Sequence, residues 1–385
     1  MRVSTGIAVL PDLAALRDEA AAWDLHGGVP ERTVRDMAGA GLLGLDVPQR
    51  YGGGGATPLE LGELCARLGS VCSALRGLVT VQGMVAATLA RWGSAAQRAA
   101  WLPRLAAGEQ LAGFAATEQE AGSDLSAVGT RISVEGDTVT VSGVKRWVTF
   151  GELATVCLVL GRLDGRPATV LVETDRPGVT REPVNGQLGL RAARIAHLRF
   201  DAVRVPKGHL VAPAGFGLSH VAATALDHGR FTVGWGCVGM AEACLGDAIA
   251  HTVARTQASV ALAEHQVVRS ALARAAVETE AARELCRAAA RLRGERDPEA
   301  ISRTVMAKYA AARAAASVSR QAVQLMGSAG CAPDSRAGRF FRDAQVMRII
   351  EGSDEVSELH IAEHLLRGAA GTTHDVPAGE GGPRP

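Results

Sequence analysis

The chain has no CxxC pair. Its seven cysteines, Cys65, Cys72, Cys157, Cys237, Cys244, Cys286 and Cys331, are odd in number and widely spaced. That argues against a zinc site and a disulfide framework, so no metal is expected. Set mostly in apolar stretches, they read as small core residues, and a reducing, cytoplasmic compartment is the expectation. An excess of either charge is also missing. With 41 Lys+Arg against 40 Asp+Glu, the net charge is +1, which gives no overall field to attract nucleic acid or an anionic membrane. Arg2 is followed by Pro11, Asp12 and Asp18 rather than an apolar core segment, so no signal peptide is expected. No apolar run is read as reaching the roughly 20 residues of a membrane helix. The glycine run Tyr51-Gly-Gly-Gly-Gly-Ala56 lacks a following Gly-Lys-Ser/Thr and reads as a flexible helix connection rather than a phosphate loop. No fixed-period repeat is present.

What remains is an ordinary globular composition, 47% hydrophobic and 21% charged over 385 residues, enough for two or three domains. From Leu13 to about Gly108 apolar residues recur at helical spacing, as in Leu61, Leu64, Cys65 and Leu68. From Gly113 to Ala212 the pattern alternates. Arg131–Glu135 and Thr138–Ser142 flank a Gly136-Asp137 turn as a hairpin, and Thr155–Leu160, Ala168–Val172 and Leu198–Val205 read as further strands. From Leu218 to Arg367 Ala-rich helical segments return, broken near Gly294, Pro298 and Gly327 to Gly338. Four helices in sequence predict an antiparallel bundle. The expected division is 1–112 helical, 113–212 β, 213–367 a four-helix bundle and 368–385 a disordered Gly/Pro-rich tail. The fold class is α+β, mainly α.

Three motifs carry chemistry. The first is Phe114-Ala-Ala-Thr-Glu-Gln-Glu-Ala-Gly-Ser-Asp124, rich in hydroxyls and backbone donors. The second is Lys145-Arg-Trp-Val-Thr149. The third is Phe341-Arg-Asp-Ala-Gln-Val-Met-Arg-Ile-Ile-Glu-Gly-Ser353, where apolar residues and a glycine surround Glu351. Taken singly, the first reads as a loop and Trp147 as core packing. Glu351 taken singly reads as a cap or surface residue beside a helix start, with Ser353 as N-cap and Asp354 and Glu355 in the first turn. Taken together and in this order, the three resemble the signatures of the FAD-dependent acyl-CoA dehydrogenase family. The resemblance covers roughly residues 15 to 367.

The resemblance implies a helical N-terminal domain, a β-barrel-like middle domain and a C-terminal four-helix bundle. It implies FAD held by Phe114, Ala116, Thr117, Ser123, Trp147 and Thr149, with Ser353 and Glu355 beside it. Thr117 would donate to the flavin edge that becomes anionic on reduction. Arg255 in Arg255-Thr-Gln-Ala-Ser-Val-Ala261, with Gln266, matches a pattern that serves a neighbouring subunit's FAD; Gln324 and Ser328 in Gln324-Leu-Met-Gly-Ser-Ala-Gly330 match another. That implies a homodimer or a homotetramer. In the first pattern the family's Phe, Gly and Pro are replaced by Ala258, Ser259 and Ala261, which implies a weaker hold on the adenine side. Glu351 is the implied catalytic base, and Ser123, Arg230 and Gly352 are placed at the substrate. The family's alternative base position is occupied here by Gly229. Arg230 also reads as the partner of an acid such as Asp227.

Further features separate this chain from the family's mainstream: Ile350, Arg191-Ala-Ala-Arg-Ile195, Trp235-Gly-Cys-Val-Gly-Met240 and Leu75-Arg-Gly-Leu-Val-Thr-Val-Gln-Gly-Met84. These resemble the acyl-carrier-protein dehydrogenases that help make the hydroxymalonyl and methoxymalonyl extender units of polyketides. The implied reaction oxidises a carrier-bound 3-oxo-2-hydroxypropionyl group to hydroxymalonyl. A conventional acyl-CoA dehydrogenase passing electrons to an electron-transfer flavoprotein is the first alternative. A flavin monooxygenase is disfavoured by Glu351, and a nucleic-acid-binding or scaffold relative by Glu351 and the +1 charge.

Overall fold

The computed structural model describes residues 13–372. The N-terminal helices are α1 (Leu13–His26), α2 (Glu31–Gly39), α3 (Pro58–Val71), α4 (Ser73–Trp92) and α5 (Ala95–Ala106). Helices α3 and α5 open on reciprocal capping boxes, Thr57 with Glu60 and Ser94 with Gln97, which satisfy backbone donors at each start. The glycine run before α3 is pinned rather than flexible. The amides of Gly54, Gly55 and Ala56 donate to the carbonyls of Gly44, Val47 and Leu45 at 2.9–3.0 Å. Helix α4 is long and apolar enough to cross a membrane, unlike the reading from sequence. However, 89% of its most apolar window is buried within the protein, so its apolarity is that of a core helix.

The middle domain is one mixed sheet: β1 (Ala112–Ala115), β2 (Arg131–Glu135), β3 (Thr138–Val148), β4 (Val156–Leu163), β5 (Arg166–Glu173), β6 (Val179–Pro183), β7 (Ala196–Pro206) and β8 (Leu210–Val211). The strand order is β6-β7-β3-β2-β4-β5-β8, with β1 parallel to β4. The expected hairpin pairs Glu135 with Thr138. Strand β4 is buried on both faces. Cys157 and Val159 pack inside the curled sheet, while Val156 and Leu158 pack against Leu89, Leu102 and Leu105 of α4 and α5. A continuous apolar run suits a strand so covered.

A π-helical turn, Gly217–Ala222, leads into α6 (Ala223–Ala254), followed by α7 (Gln266–Glu295), α8 (Ala300–Met326), α9 (Arg336–Met347) and α10 (Asp354–Thr372). Four long helices form as expected, and α9 is a short fifth. Helix α10 runs to Thr372, past the expected boundary at Gly368; the rest of the expected tail lies outside the described residues. The Trp235–Met240 motif has a packing role. A Cβ on Gly239 would sit 1.8 Å from the Ala66 carbonyl oxygen, and one on Gly62 would strike the Trp235 ring at 2.3 Å. Gly239 lets α3 and α6 touch nearly backbone to backbone, and Gly62 makes room for the Trp235 indole. Six cysteines are buried and only Cys331 is exposed.

Candidate active site

Between α9 and α10 the chain reverses through two left-handed residues, Glu351 at φ 56° and Gly352 at φ 94°. A left-handed non-glycine residue costs roughly 1–2 kcal/mol. Two cations hold it there: Arg230 Nε donates to the Glu351 carbonyl at 2.8 Å, and Lys308 Nζ donates to the Gly352 carbonyl at 2.7 Å. Bonds from charged donors are strong enough to offset that strain. The Ser353 hydroxyl accepts from the Val356 amide at 3.4 Å and caps α10.

This turn drives the Glu351 side chain inward. Its Oε2 is buried without a hydrogen-bond partner. Gly229 on α6 leaves the space it fills, since a Cβ there would lie 2.5 Å from that oxygen. Burial pushes the Glu351 carboxyl up to about 7, opposed by the nearby charges of Arg230, Lys308 and Arg76. A carboxylate oxygen with no competing donor, on a group with a proton affinity near neutrality, is poised to take a proton from a bound ligand.

The second half of the site lies at the end of β3. A register shift between Lys145 and Val148, with Trp147 at φ 59°, is a bulge that re-aims a side chain. It leaves Trp147 53% exposed, its ring edge-on to His197 at 5.3 Å. The 116–118 loop is clamped beside it. The buried Lys145 ammonium donates to the Ala116 carbonyl at 2.9 Å and to Glu118 at 2.7 Å, and the Arg146 amide donates to the Thr117 carbonyl at 2.8 Å. Phe114 and Thr149 are half-buried and Ser123 is exposed nearby in sequence. Thr149 approaches α4, with its methyl 3.8 Å from where a Gly77 Cβ would stand. An open indole on a rigid bulge, with Thr149 two residues on and the Thr117 loop clamped to Arg146, offers a flat apolar face beside hydroxyl-bearing residues, which suits a flat ring with a polar edge. The fit to a flavin is good.

The structure therefore brings Glu351, Gly352, Ser353 and Arg230 together, and separately Ala116, Thr117, Trp147 and Thr149, with α4 between the two groups. Glu355 is exposed on the first turn of α10. Arg230 does not pair with Asp227. That acid takes Arg293 instead, at 2.8 and 2.9 Å, and Arg230 holds the Glu351 turn. Arg255, Gln324 and Ser328 are exposed at the far end of the bundle. Arg255 lies about 39 Å along α6 from Gly229 at 1.5 Å per residue. A single chain does not assemble them with Glu351. Arg255 precedes a two-stranded ribbon, β9 (Thr256–Gln257) and β10 (Val260–Ala261), whose turn residues Ala258 and Ser259 are both left-handed, at φ 50° and 70°.

Two buried cations near Glu351 were not singled out from sequence. Lys308 sits in the Ala-rich run of α8 and Arg76 in the apolar run of α4, 1% and 2% exposed. The signal is a charge at a position the helical period assigns to the core.

Comparison with known proteins matches three family models in sequence along the chain: the acyl-CoA dehydrogenase N-terminal domain over residues 14–109, middle domain over 113–203 and C-terminal domain over 217–366. The chain is 32% identical to the human mitochondrial short-chain specific acyl-CoA dehydrogenase, covering 88% of this chain and 83% of that protein. Among solved structures it is similar to FkbI, described as serving biosynthesis of the methoxymalonyl extender unit of the FK520 polyketide, at 39% identity and TM-score 0.87. That match covers 92% of this chain and 98% of FkbI. A glutaryl-CoA dehydrogenase from Mycobacterium smegmatis in complex with FADH2 matches at 30% identity and TM-score 0.85, covering 92% and 93%.

Proposed function

Since the chain belongs to the acyl-CoA dehydrogenase family of FAD-dependent oxidoreductases, we propose that it oxidises a carrier-bound 3-oxo-2-hydroxypropionyl thioester to the hydroxymalonyl thioester. The observation that carries a dehydrogenase reading is the Glu351 carboxyl, whose Oε2 is buried without a hydrogen-bond partner in the space left by Gly229. The narrower substrate rests on the 39% identity to FkbI over nearly the whole of both chains. Phe114, Ala116, Thr117, Ser123, Trp147 and Thr149 are the residues that would hold the flavin. When bound, FAD accepts the hydride.

The substrate aldehyde reacts as its hydrate. Glu351 takes the proton of one hydroxyl as the C3–H bond breaks, that hydroxyl oxygen becomes a carbonyl, and the second hydroxyl remains to complete the carboxylic acid. The thioester carrier is left intact. The same base removing a proton next to the thioester gives α,β-desaturation. The identity to a short-chain acyl-CoA dehydrogenase favours that as the second reading, with an electron-transfer flavoprotein as acceptor. Anaerobic bleaching of the bound flavin separates the two. Bleaching by the carrier-bound aldehyde and not by short saturated acyl-CoAs is expected. Bleaching by butyryl-CoA alone assigns the protein to desaturation.

We also infer a homodimer in which Arg255, Gln324 and Ser328 serve the neighbour's FAD. The ribbon after Arg255 then gives a direct prediction. Ala258 and Ser259 occupy left-handed positions that favour glycine. The double variant Ala258→Phe/Ser259→Gly restores an aromatic face and relieves one strained residue. Its FAD dissociation constant, read by fluorescence quenching, is expected to fall about tenfold, the scale of one aromatic contact of roughly 1.5 kcal/mol. Unchanged affinity would place this ribbon away from the cofactor.

A further inference from the structure

Strand β3 carries one residue too many against β7. Lys145 pairs with Leu198 and Val148 with Ala196, so Arg146 and Trp147 both stand opposite His197. A bulge of this kind takes backbone amides off the ladder, and each has to find another acceptor. The Arg146 amide goes to the Thr117 carbonyl at 2.8 Å. The Trp147 amide goes to a side chain, donating to His197 Nδ1 at 3.1 Å. The same imidazole stands edge-on to the indole, with 5.3 Å between ring centroids and 85° between planes. His197 therefore grips Trp147 at its backbone and at its ring. Trp147 needs that grip, since it is left-handed at φ 59°, a conformation that a bulky side chain keeps only when its surroundings hold it there.

The bond fixes the state of the imidazole. Nδ1 accepts only while it carries no proton, so the ring is neutral with its hydrogen on Nε2. Two charged groups act on it: Arg146, opposite it on β3, and Glu182, its register partner on β6. Partial burial and the Arg146 charge push the imidazole below the usual histidine range, against the pull of Glu182. The surroundings thus favour the accepting form. Protonation would remove the acceptor and set a second cation beside Arg146.

We propose that His197 is a positioning residue: its neutral imidazole closes the bulge and sets the face that Trp147 presents to the flavin. This rests on the reading of Trp147 as a flavin-holding residue and carries it one step back into the sheet. The hold on FAD is thereby tied to the protonation of one residue on β7.

The test is the FAD dissociation constant of the full-length protein at pH 8 and pH 5, read by fluorescence quenching, for the wild type and three variants. His197→Phe keeps a ring against the indole and removes the acceptor. His197→Asn keeps an acceptor oxygen at the Nδ1 position and removes the ring. Trp147→Phe reports whether the indole meets the flavin at all. At pH 8, His197→Phe is expected to bind FAD about tenfold more weakly, the scale of leaving one backbone donor unpaired, while His197→Asn stays within about threefold of the wild type. The acceptor is present above the folded pKa of His197 and lost as pH falls through it. At pH 5 the wild type should therefore lose affinity that His197→Asn keeps, and His197→Phe should show no such extra loss. Trp147→Phe is expected to bind about tenfold more weakly, the scale of one aromatic contact. Unchanged affinity in Trp147→Phe removes the indole from the flavin, and the proposal falls with that reading. Weakening in Trp147→Phe with His197→Phe and His197→Asn alike, whether both weakened or both unchanged, overturns the proposal alone. A pH profile shared by the wild type and His197→Asn does the same.

Discussion

Glu351→Gln is expected to lower kcat/KM about 1000-fold, within the range that a positioned general base supplies, while the yellow cofactor stays bound. The reason is local: Glu351 Oε2 is buried with no partner in the resting structure, so its lone pair is left for substrate. The pH profile follows from the same burial. With Glu351 pushed up to about 7, kcat/KM of the wild type should rise through an acid limb near pH 7, and the Gln variant should lose that limb. Stability should respond with the opposite sense. A group whose folded pKa is raised contributes most below its unfolded value, near 4.5, and that contribution is lost as pH rises through the folded pKa. The shift corresponds to about 3 kcal/mol between those limits. Denaturant unfolding at pH 5 and pH 8 should therefore show Glu351→Gln gaining on the wild type at the higher pH, by up to this amount. A near-normal rate in the variant would remove Glu351 from the chemistry. A pH-independent stability difference would mean the carboxylate is solvated.

The Glu351 turn was legible as a motif before it was legible as a shape. The apolar run ending at Ile350, then Glu351, Gly352 and Ser353, marks a break before a helix, and α10 does begin at Asp354. What a linear reading could not supply is the left-handed conformation at Glu351 and the two cations that hold it, because Arg230 and Lys308 arrive from α6 and α8. Arg230 illustrates the limit well: its acid neighbour in sequence, Asp227, is only one helical turn away, yet Asp227 points to Arg293 on α7. Strand positions were easier, since alternation fixes which face is buried. The bulge that turns Trp147 outward depends on pairing with β7, which a single strand's pattern does not encode. Gly229 was visible only as a missing base, and its function as room for Glu351 required the packing of α6 against the α9–α10 turn.

That room gives the second large effect. Gly229→Ala is expected to cut kcat about 100-fold, the scale associated with misplacing a reacting group by about 1 Å, without weakening the fold. The added Cβ would stand 2.5 Å from Glu351 Oε2 and 2.6 Å from its Cδ. Both atoms belong to the mobile end of a side chain, so the carboxyl swings aside and the backbone stays. Within α6, alanine is also the better helix former by about 1 kcal/mol. Thermal unfolding should therefore show an unchanged or raised midpoint beside the lost rate, a pairing that general destabilisation does not produce. The exchanged variant Gly229→Glu/Glu351→Gly makes the steric argument specific. It delivers a carboxylate from α6 into the same space and puts glycine at a left-handed position that favours it. Its rate is expected to exceed that of Glu351→Gly alone. Equal rates for those two would show that turnover depends on where the Glu351 backbone places the base, and a full rate in Gly229→Ala would show that the carboxylate works from somewhere other than the space beside Gly229.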